Sequence, residues 1–455
     1  MLPANGRSLH ALPDLETAPP SGEIGSWIIA SAAFMLVAMR QTYVLPALPL
    51  SLSPARFLLF LGAGLFILAR LLGQRSGYRL GVLGPILATY LLSTLMAYGI
   101  GMTRESTPIR NTDYRIIVEI MLIVAVIFCF NVVHSYVGLR RVIKGLVAGG
   151  AVSAIFAILA NITGLDLATY LRLPGLVERG TILYRDLLRG DVVRSQGSAS
   201  HPLELAAVLT MLFPLAVGLT HSLRAGGDRW RLWAVATLTI FAGIAVSVSR
   251  SALIGLFAAF ALMALYWPIR RTLAMLGGIL GLAMLVFVVN RSLFEAYSST
   301  LGLGRGDASA QYRVAAAQYI LSNFSIFGMF GQAGGPSDLI FDNQYLFRLA
   351  DTGIFGLLAY VLLVGTALVL ALRAFMNTRN QKNSELPAAS AHLFLGLAAS
   401  FTAYAVMNIV LDAGGFVQIW TTMWLLLATS AVAFRISQRP DDKLNPVWRR
   451  RVVDG

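Results

Sequence analysis

The chain has 455 residues, is 57% hydrophobic and only 13% charged, and carries a formal net charge of +14. A soluble domain holds roughly 25% charged residues, so composition excludes an ordinary water-soluble globular protein. Its apolar runs are about as long as a bilayer-crossing helix requires and do not alternate as barrel strands would. The expected fold class is therefore an all-α polytopic membrane protein.

Met1 to Gly22 is Pro-rich and polar with no apolar core, so no cleavable signal is expected and residues 1–24 read as a disordered cytoplasmic tail. Twelve spans follow, roughly at 25–45, 56–72, 80–101, 116–133, 143–163, 202–221, 231–248, 251–267, 272–290, 345–373, 389–411 and 415–434. They form one transmembrane domain over 25–434, and 435–455 is a basic cytoplasmic tail. The single cysteine, Cys129, lies in a predicted span, which excludes a disulfide framework and a cysteine metal site.

Orientation follows from the basic connections. With both termini in the cytoplasm, Arg140, Arg141 and Lys144, Arg224, Arg229 and Arg231, Arg270 and Arg271, and Arg373, Arg379 and Lys382 all fall inside. Two outer connections are then long, 164–201 and 291–344, well beyond an ordinary link between packed elements, and long loops of this kind carry function.

The outer loops are rich in arginine and hold no lysine: Arg104, Arg110 and Arg115 in the shorter loop 102–115, Arg172, Arg179, Arg185, Arg189 and Arg194 in the first long one, Arg291, Arg305 and Arg313 in the second. The rigid guanidinium fork suits bidentate phosphate binding, so an anionic substrate at the outer face is one reading. Contact with lipid headgroups, or pairing with Asp166, Glu178, Asp186 and Asp191, is the other. Arg250 stands between two apolar runs in Ser247-Val248-Ser249-Arg250-Ser251. A charge there is a functional candidate, with snorkelling to the interface as the alternative.

The segment Arg194 to Glu204 sets small residues before His201-Pro202, where Pro202 suits a first helical turn. His201 is placed either to act as a base or to serve structurally, and Glu204 either pairs with an arginine or accepts a proton. The stretch Arg313 to Gly356 continues through a Gly-rich turn (Gly328, Gly331, Gly334, Gly335) to Asp342-Asn343-Gln344-Tyr345 and Asp351-Thr352-Gly353. Asp342 suits either proton removal from a sugar hydroxyl or capping of the next helix. Asp351, Gly353 and Gly356 read as helix packing. No metal-ligand cluster, P-loop or Ser-His-Asp spacing appears, and no cofactor is expected.

Twelve spans, Ser247-x-Ser249-Arg250, Arg194-x-x-Gly197 with His201-Pro202, and Arg313 leading to Asp342-Asn343-x-Tyr345-Leu346 and Gly353-x-x-Gly356 resemble the O-antigen ligase/polymerase superfamily, over about 190–375. The resemblance implies a metal-independent membrane glycosyltransferase of the bacterial inner membrane. It would act at the periplasmic face on undecaprenyl-diphosphate-linked glycan, with an acceptor glycan and a chain-length regulator as further partners and no nucleic acid. Arg194, Arg250 and Arg313, with Arg185 and Arg189, would hold the diphosphate. Asp342, His201 or Glu204 would take the acceptor proton. Ligases resemble one another in a histidine late in the large loop, and here that place holds Asp342-Asn343-Gln344. The resemblance therefore favours a polymerase of O-antigen or exopolysaccharide repeat units, supported by one Arg-x10-Gly pattern from Arg179 to Gly190. A ligase onto lipid A–core is the near alternative. A flippase for a lipid-linked sugar is the alternative of another class.

Overall fold

The computed structural model describes residues 21–46, 52–73, 80–103, 109–179, 188–189, 192–289, 308–324, 328–331, 342–380 and 386–438. The predicted tails thus lie largely outside the described residues, as do Arg185, Arg291 and Arg305.

Thirteen α-helices occupy the described residues: α1 Ser21–Ala38, α2 Pro54–Leu71, α3 Leu83–Gly101, α4 Ile109–Val132, α5 Tyr136–Thr163, α6 Pro202–Ala225, α7 Arg231–Val246, α8 Arg250–Tyr266, α9 Ile269–Val289, α10 Ala308–Ser322, α11 Gln344–Asn380, α12 Ser390–Met407 and α13 Val417–Ser437. Eight of them, α2 to α6 and α11 to α13, are long and apolar enough to cross a membrane, and α1, α7 and α8 are shorter apolar helices. The protein is an all-α, multi-pass membrane protein. Each of the twelve apolar runs read from the sequence falls on a helix, and α10 is an additional helix inside the second long loop. Two antiparallel pairs of two-residue strands involve the first long loop: β1 Tyr43–Val44, between α1 and α2, joins it through β2 Val177–Glu178, and β3 Leu188–Arg189 pairs with β4 Val192–Val193 within it.

The most apolar windows of α6 and α13 are each 89% buried, against 28% for α3, so α6 and α13 are interior helices and α3 is peripheral. Among apolar helices in lipid, close approach depends on small residues. A Cβ on Gly218 of α6 would stand 2.5 Å from the His392 carbonyl oxygen of α12, and Gly396 of α12 meets Pro214 of α6 in the same way. The α6–α12 and α1–α5 crossings are the most extensive helix pairings in the bundle.

α11 is not one rod. Gly353 has φ 69° and ψ −168°, which breaks the helix after Thr352. The segment Gly328–Gly331 lies against the break: the N–H of Ile354 donates to the Gly328 carbonyl at 3.3 Å and that of Phe355 to the Met329 carbonyl at 3.3 Å. The glycines read from the sequence as packing residues thus include the one that interrupts the helix. The first half, Gln344 to Thr352, becomes a short separate rod carrying Arg348 and Asp351.

Candidate functional site

Four helices begin around a cavity of about 390 Å³. α2 brings Arg56, α4 brings Tyr114, Arg115, Val118 and Glu119, α11 brings Phe347 and Arg348, and the turn into α13 brings Asp412, Gly414 and Gly415, with Val417 and Trp420 beyond. The first turns of a helix leave N–H groups without intrahelical partners and form the positive end of its dipole. Such termini are ready anion sites, and three guanidinium groups add to that field.

The starts are stitched together locally. Asn343 caps α11, its Oδ1 accepting from the N–H groups of Tyr345 at 2.9 Å and Leu346 at 3.0 Å. The Gln344 N–H donates to the carbonyls of Asn408 at 2.9 Å and Leu411 at 3.1 Å, and its Oε1 accepts from the Gly414 N–H at 2.5 Å. This fixes the α12–α13 turn, and with it Asp412, against the start of α11.

Arg115 grips Asp351 with both terminal nitrogens, at 3.1 and 2.7 Å. Arg348 donates to Glu119 at 3.1 Å and lies 3.7 Å from Asp351. The Tyr90 hydroxyl donates to the second Glu119 oxygen at 3.1 Å. The Arg348 guanidinium is also enclosed by the rings of Trp420 at 4.8 Å and of Tyr90 and Tyr360, both at 5.6 Å. Arg56 differs: its Nε donates to the Thr421 hydroxyl at 3.0 Å, and among the described residues it makes no ion pair. Arg56 is the cation of this cavity without a paired carboxylate among those residues.

Burial pushes the Asp412 carboxyl up to about 6, against the smaller opposing pull of Arg348 and Arg115. Asp412 faces Arg115 and Arg348 across this cavity, and its protonation makes the site more positive by one unit of charge. Anion binding is thus linked to proton uptake at Asp412. Sulfate, whose own charge is constant over this range, is expected to bind about tenfold tighter at pH 5.5 than at pH 7.5, the equivalent of one pKa unit of coupling. Asp412→Asn should flatten that dependence and bind at pH 7.5 as the native protein does at pH 5.5. Titration by calorimetry in detergent reads both, and an unchanged slope in the variant would dissociate Asp412 from the site.

The described residues singled out in the sequence gather at this same end of the bundle but do not line the cavity. His201 caps α6, its Nδ1 accepting the Leu203 N–H at 3.0 Å. Glu204 is fully buried and uses both oxygens: one accepts from the Ser200 N–H at 2.7 Å and hydroxyl at 2.5 Å, the other from the Gln418 N–H at 2.7 Å. That bond ties α6 to α13 behind Arg56. Arg194 lies in the segment leading to α6, half-buried. Arg250 begins α8, flanked by buried Ser249 and Ser251, just after Val248, whose φ of 46° is unusual for a β-branched residue. α6 and α7 form a hairpin, which returns Arg250 to the level of His201. Asp342 precedes the α11 cap, half-buried. Arg189 is in β3 and Arg313 in α10; their side chains lie outside the described residues.

Sequence reasoning passed over Arg56, Glu119, Arg348 and Asp412. For Glu119 and Arg348 a signal existed, because an ionisable residue inside an apolar span is itself a functional flag. The chain matches no protein-family model and no curated protein.

Proposed function

We propose that the protein is a membrane glycosyltransferase of twelve spans, a polymerase of O-antigen or exopolysaccharide repeat units. It would work at the periplasmic face of a bacterial inner membrane, with both termini in the cytoplasm. The observation that carries this reading is the cavity where four helix starts converge on Arg56, Arg115 and Arg348. Its arginines and helix starts suit a phosphate-type anion at the end of a bundle of apolar helices. The donor is an undecaprenyl-diphosphate-linked glycan. Arg56 and Arg115 neutralise its diphosphate, and Arg194, Arg250 and Arg313, the arginines of the family pattern, are proposed to serve the same lipid-linked substrates.

The acceptor hydroxyl attacks the anomeric carbon from the face opposite the diphosphate, forming the new glycosidic C–O bond as the old one breaks. The hydroxyl proton passes to a carboxylate and the lipid diphosphate leaves with its charge met by arginine, where charge builds in the transition state. Of the two carboxylates lining the cavity, Glu119 is held by Arg348 and Tyr90, which leaves Asp412, and Asp342 is the one the family pattern indicates. A base must be ionised, so turnover through Asp412 rises with pH through about 6, opposite in sign to anion affinity.

The test is polymer formation from defined lipid-linked repeat units by purified protein. Arg56→Ala should lower the rate roughly 100-fold or more, the usual cost of one electrostatic donor, while Arg56→Lys retains part of it. Full activity of Arg56→Ala would remove the cavity from the mechanism. A product of glycan on lipid A–core would make the protein a ligase instead.

The break in α11 at Gly353 supports a second reading, since discontinuous helices mark transporters. Consumption of lipid-linked units without any gradient separates the enzyme from a flippase.

A further inference from the structure

A second cavity, of about 350 Å³, lies at the other end of the bundle between α6, α7 and α9. Phe213 and Phe241 form its inner walls, and Met275 and Gly278 of α9 its outer one. His221 and Arg271 stand at its polar end. From Phe213 to His221 the cavity runs about 12 Å along α6 at 1.5 Å per residue. Its volume is in the range of sites that hold small ligands, about 300–1,000 Å³, and it has their usual make-up of apolar walls with a few polar groups.

Three further observations define what fits. The cavity opens sideways: Leu238 in its wall is 55% exposed, and Val235 of α7 and Leu280 of α9 beside it are 59% and 60% exposed. Gly278 lines the cavity and is exposed, with no atom within 4 Å of where a Cβ would stand, so a side chain added there would meet no atom of the described residues. The polar end is basic: exposed Arg270 adjoins Arg271 in the chain, and exposed Arg224 and Arg231 stand at the end of α6 and the start of α7, while Asp228 in the turn between those helices is taken by Arg140 at 2.5 Å. Arg271 itself lies over the Trp267 ring at 5.8 Å and makes no ion pair among the described residues.

We infer that this cavity is a binding site for an anionic phospholipid, with an acyl chain between α6 and α9 and the phosphate held by Arg271. Apolar walls favour a hydrocarbon chain over water, and a side opening among exposed leucines admits a chain from the bilayer. The arginine rim selects a headgroup of net negative charge, each arginine near the surface favouring it by about 1 kcal/mol, or roughly fivefold. The site is separate from the arginine cavity at the opposite end.

Native mass spectrometry of the full-length protein, exchanged into mixtures of phosphatidylglycerol and phosphatidylcholine, tests it. The native protein should retain phosphatidylglycerol at least about fivefold over phosphatidylcholine, and Arg271→Gln should lose about fivefold in that preference. Gly278 lines the cavity and its Cβ position is clear, so Gly278→Leu narrows the cavity without a clash and should displace the lipid while the melting temperature holds. Equal retention by all three proteins, or no headgroup preference, overturns the inference. A dimer that Gly278→Leu dissociates with lipid retention unchanged would assign this face to a second copy of the chain and overturn it equally.

Discussion

Arg348→Ala is expected to destabilise the protein by about 3–5 kcal/mol, the usual result of removing one partner from a buried ion pair. Arg348 is 2% exposed, and its partners Glu119 and Asp351 are 7% and 4% exposed. Without the guanidinium, Glu119 keeps only the Tyr90 hydroxyl as a hydrogen-bond donor among the described residues, and a carboxylate 7% exposed is left short of partners. Asp351 keeps Arg115. The three rings around the guanidinium lose a desolvated cation, each contact contributing on the order of 1 kcal/mol. Arg348→Lys keeps the charge but not the planar group that meets two carboxylates and three rings together, so it should fall between native and alanine. Arg348→Met with Glu119→Gln removes both charges and keeps the volume, and should recover most of the loss. Thermal unfolding in detergent reads the series. An alanine variant as stable as the native protein would mean that this cluster does not hold the helix starts together. The same substitution frees the short rod from Gln344 to Thr352, so anion binding at Arg115 should fall with stability and return only in part in the double variant.

The helical architecture was legible because lipid makes it so. A continuous apolar run of about 20 residues has few options other than a helix, and each predicted run falls on one. The arginine character of the outer end was legible too, since it is compositional. What the sequence did not show was which arginines share a hollow. Arg56, Arg115 and Arg348 come from three helices, 59 and 233 positions apart in sequence, and only the packing of α2, α4 and α11 around α13 brings them together. Capping was likewise ambiguous until geometry decided it. Asp342 and Asn343 are chemically alike as caps, and it is Asn343 that accepts the two N–H groups. The loop arginines drew notice because they stood in polar surroundings. Arg348 and Glu119 sat inside runs that read as membrane spans, and their mutual pairing is not visible in sequence.

Gly353→Ala should be the most damaging single-methyl change in the protein, and Gly365→Ala in the same helix should be neutral or stabilising. Gly353 has φ 69° and ψ −168°, a region essentially open only to glycine, and holding another residue there costs of the order of 1–3 kcal/mol. Space adds to conformation. A Cβ at Gly353 would fall on the backbone of Met329 and Phe330, and one at Gly331, φ 71°, would stand 2.5 Å from the Asp351 carbonyl oxygen. Two backbones are in contact with no side chain between them to yield. If the Gly328–Gly331 segment is pushed off, the N–H groups of Ile354 and Phe355 lose the carbonyls that accept them, and each lost intramolecular hydrogen bond costs about 0.5–1.5 kcal/mol. The rod carrying Arg348 and Asp351 then loses its angle to the rest of α11, so the variant should lose sulfate binding at the arginine cavity even at temperatures where it stays folded. Gly365 has helical backbone and nothing within 4 Å of its Cβ position, and there the replacement gains up to about 1 kcal/mol of helix propensity. Melting temperatures and sulfate titrations of the two variants, measured side by side, decide the matter: equal effects of the same methyl at both sites would mean that α11 is continuous and that the break at Gly353 plays no part in setting the site.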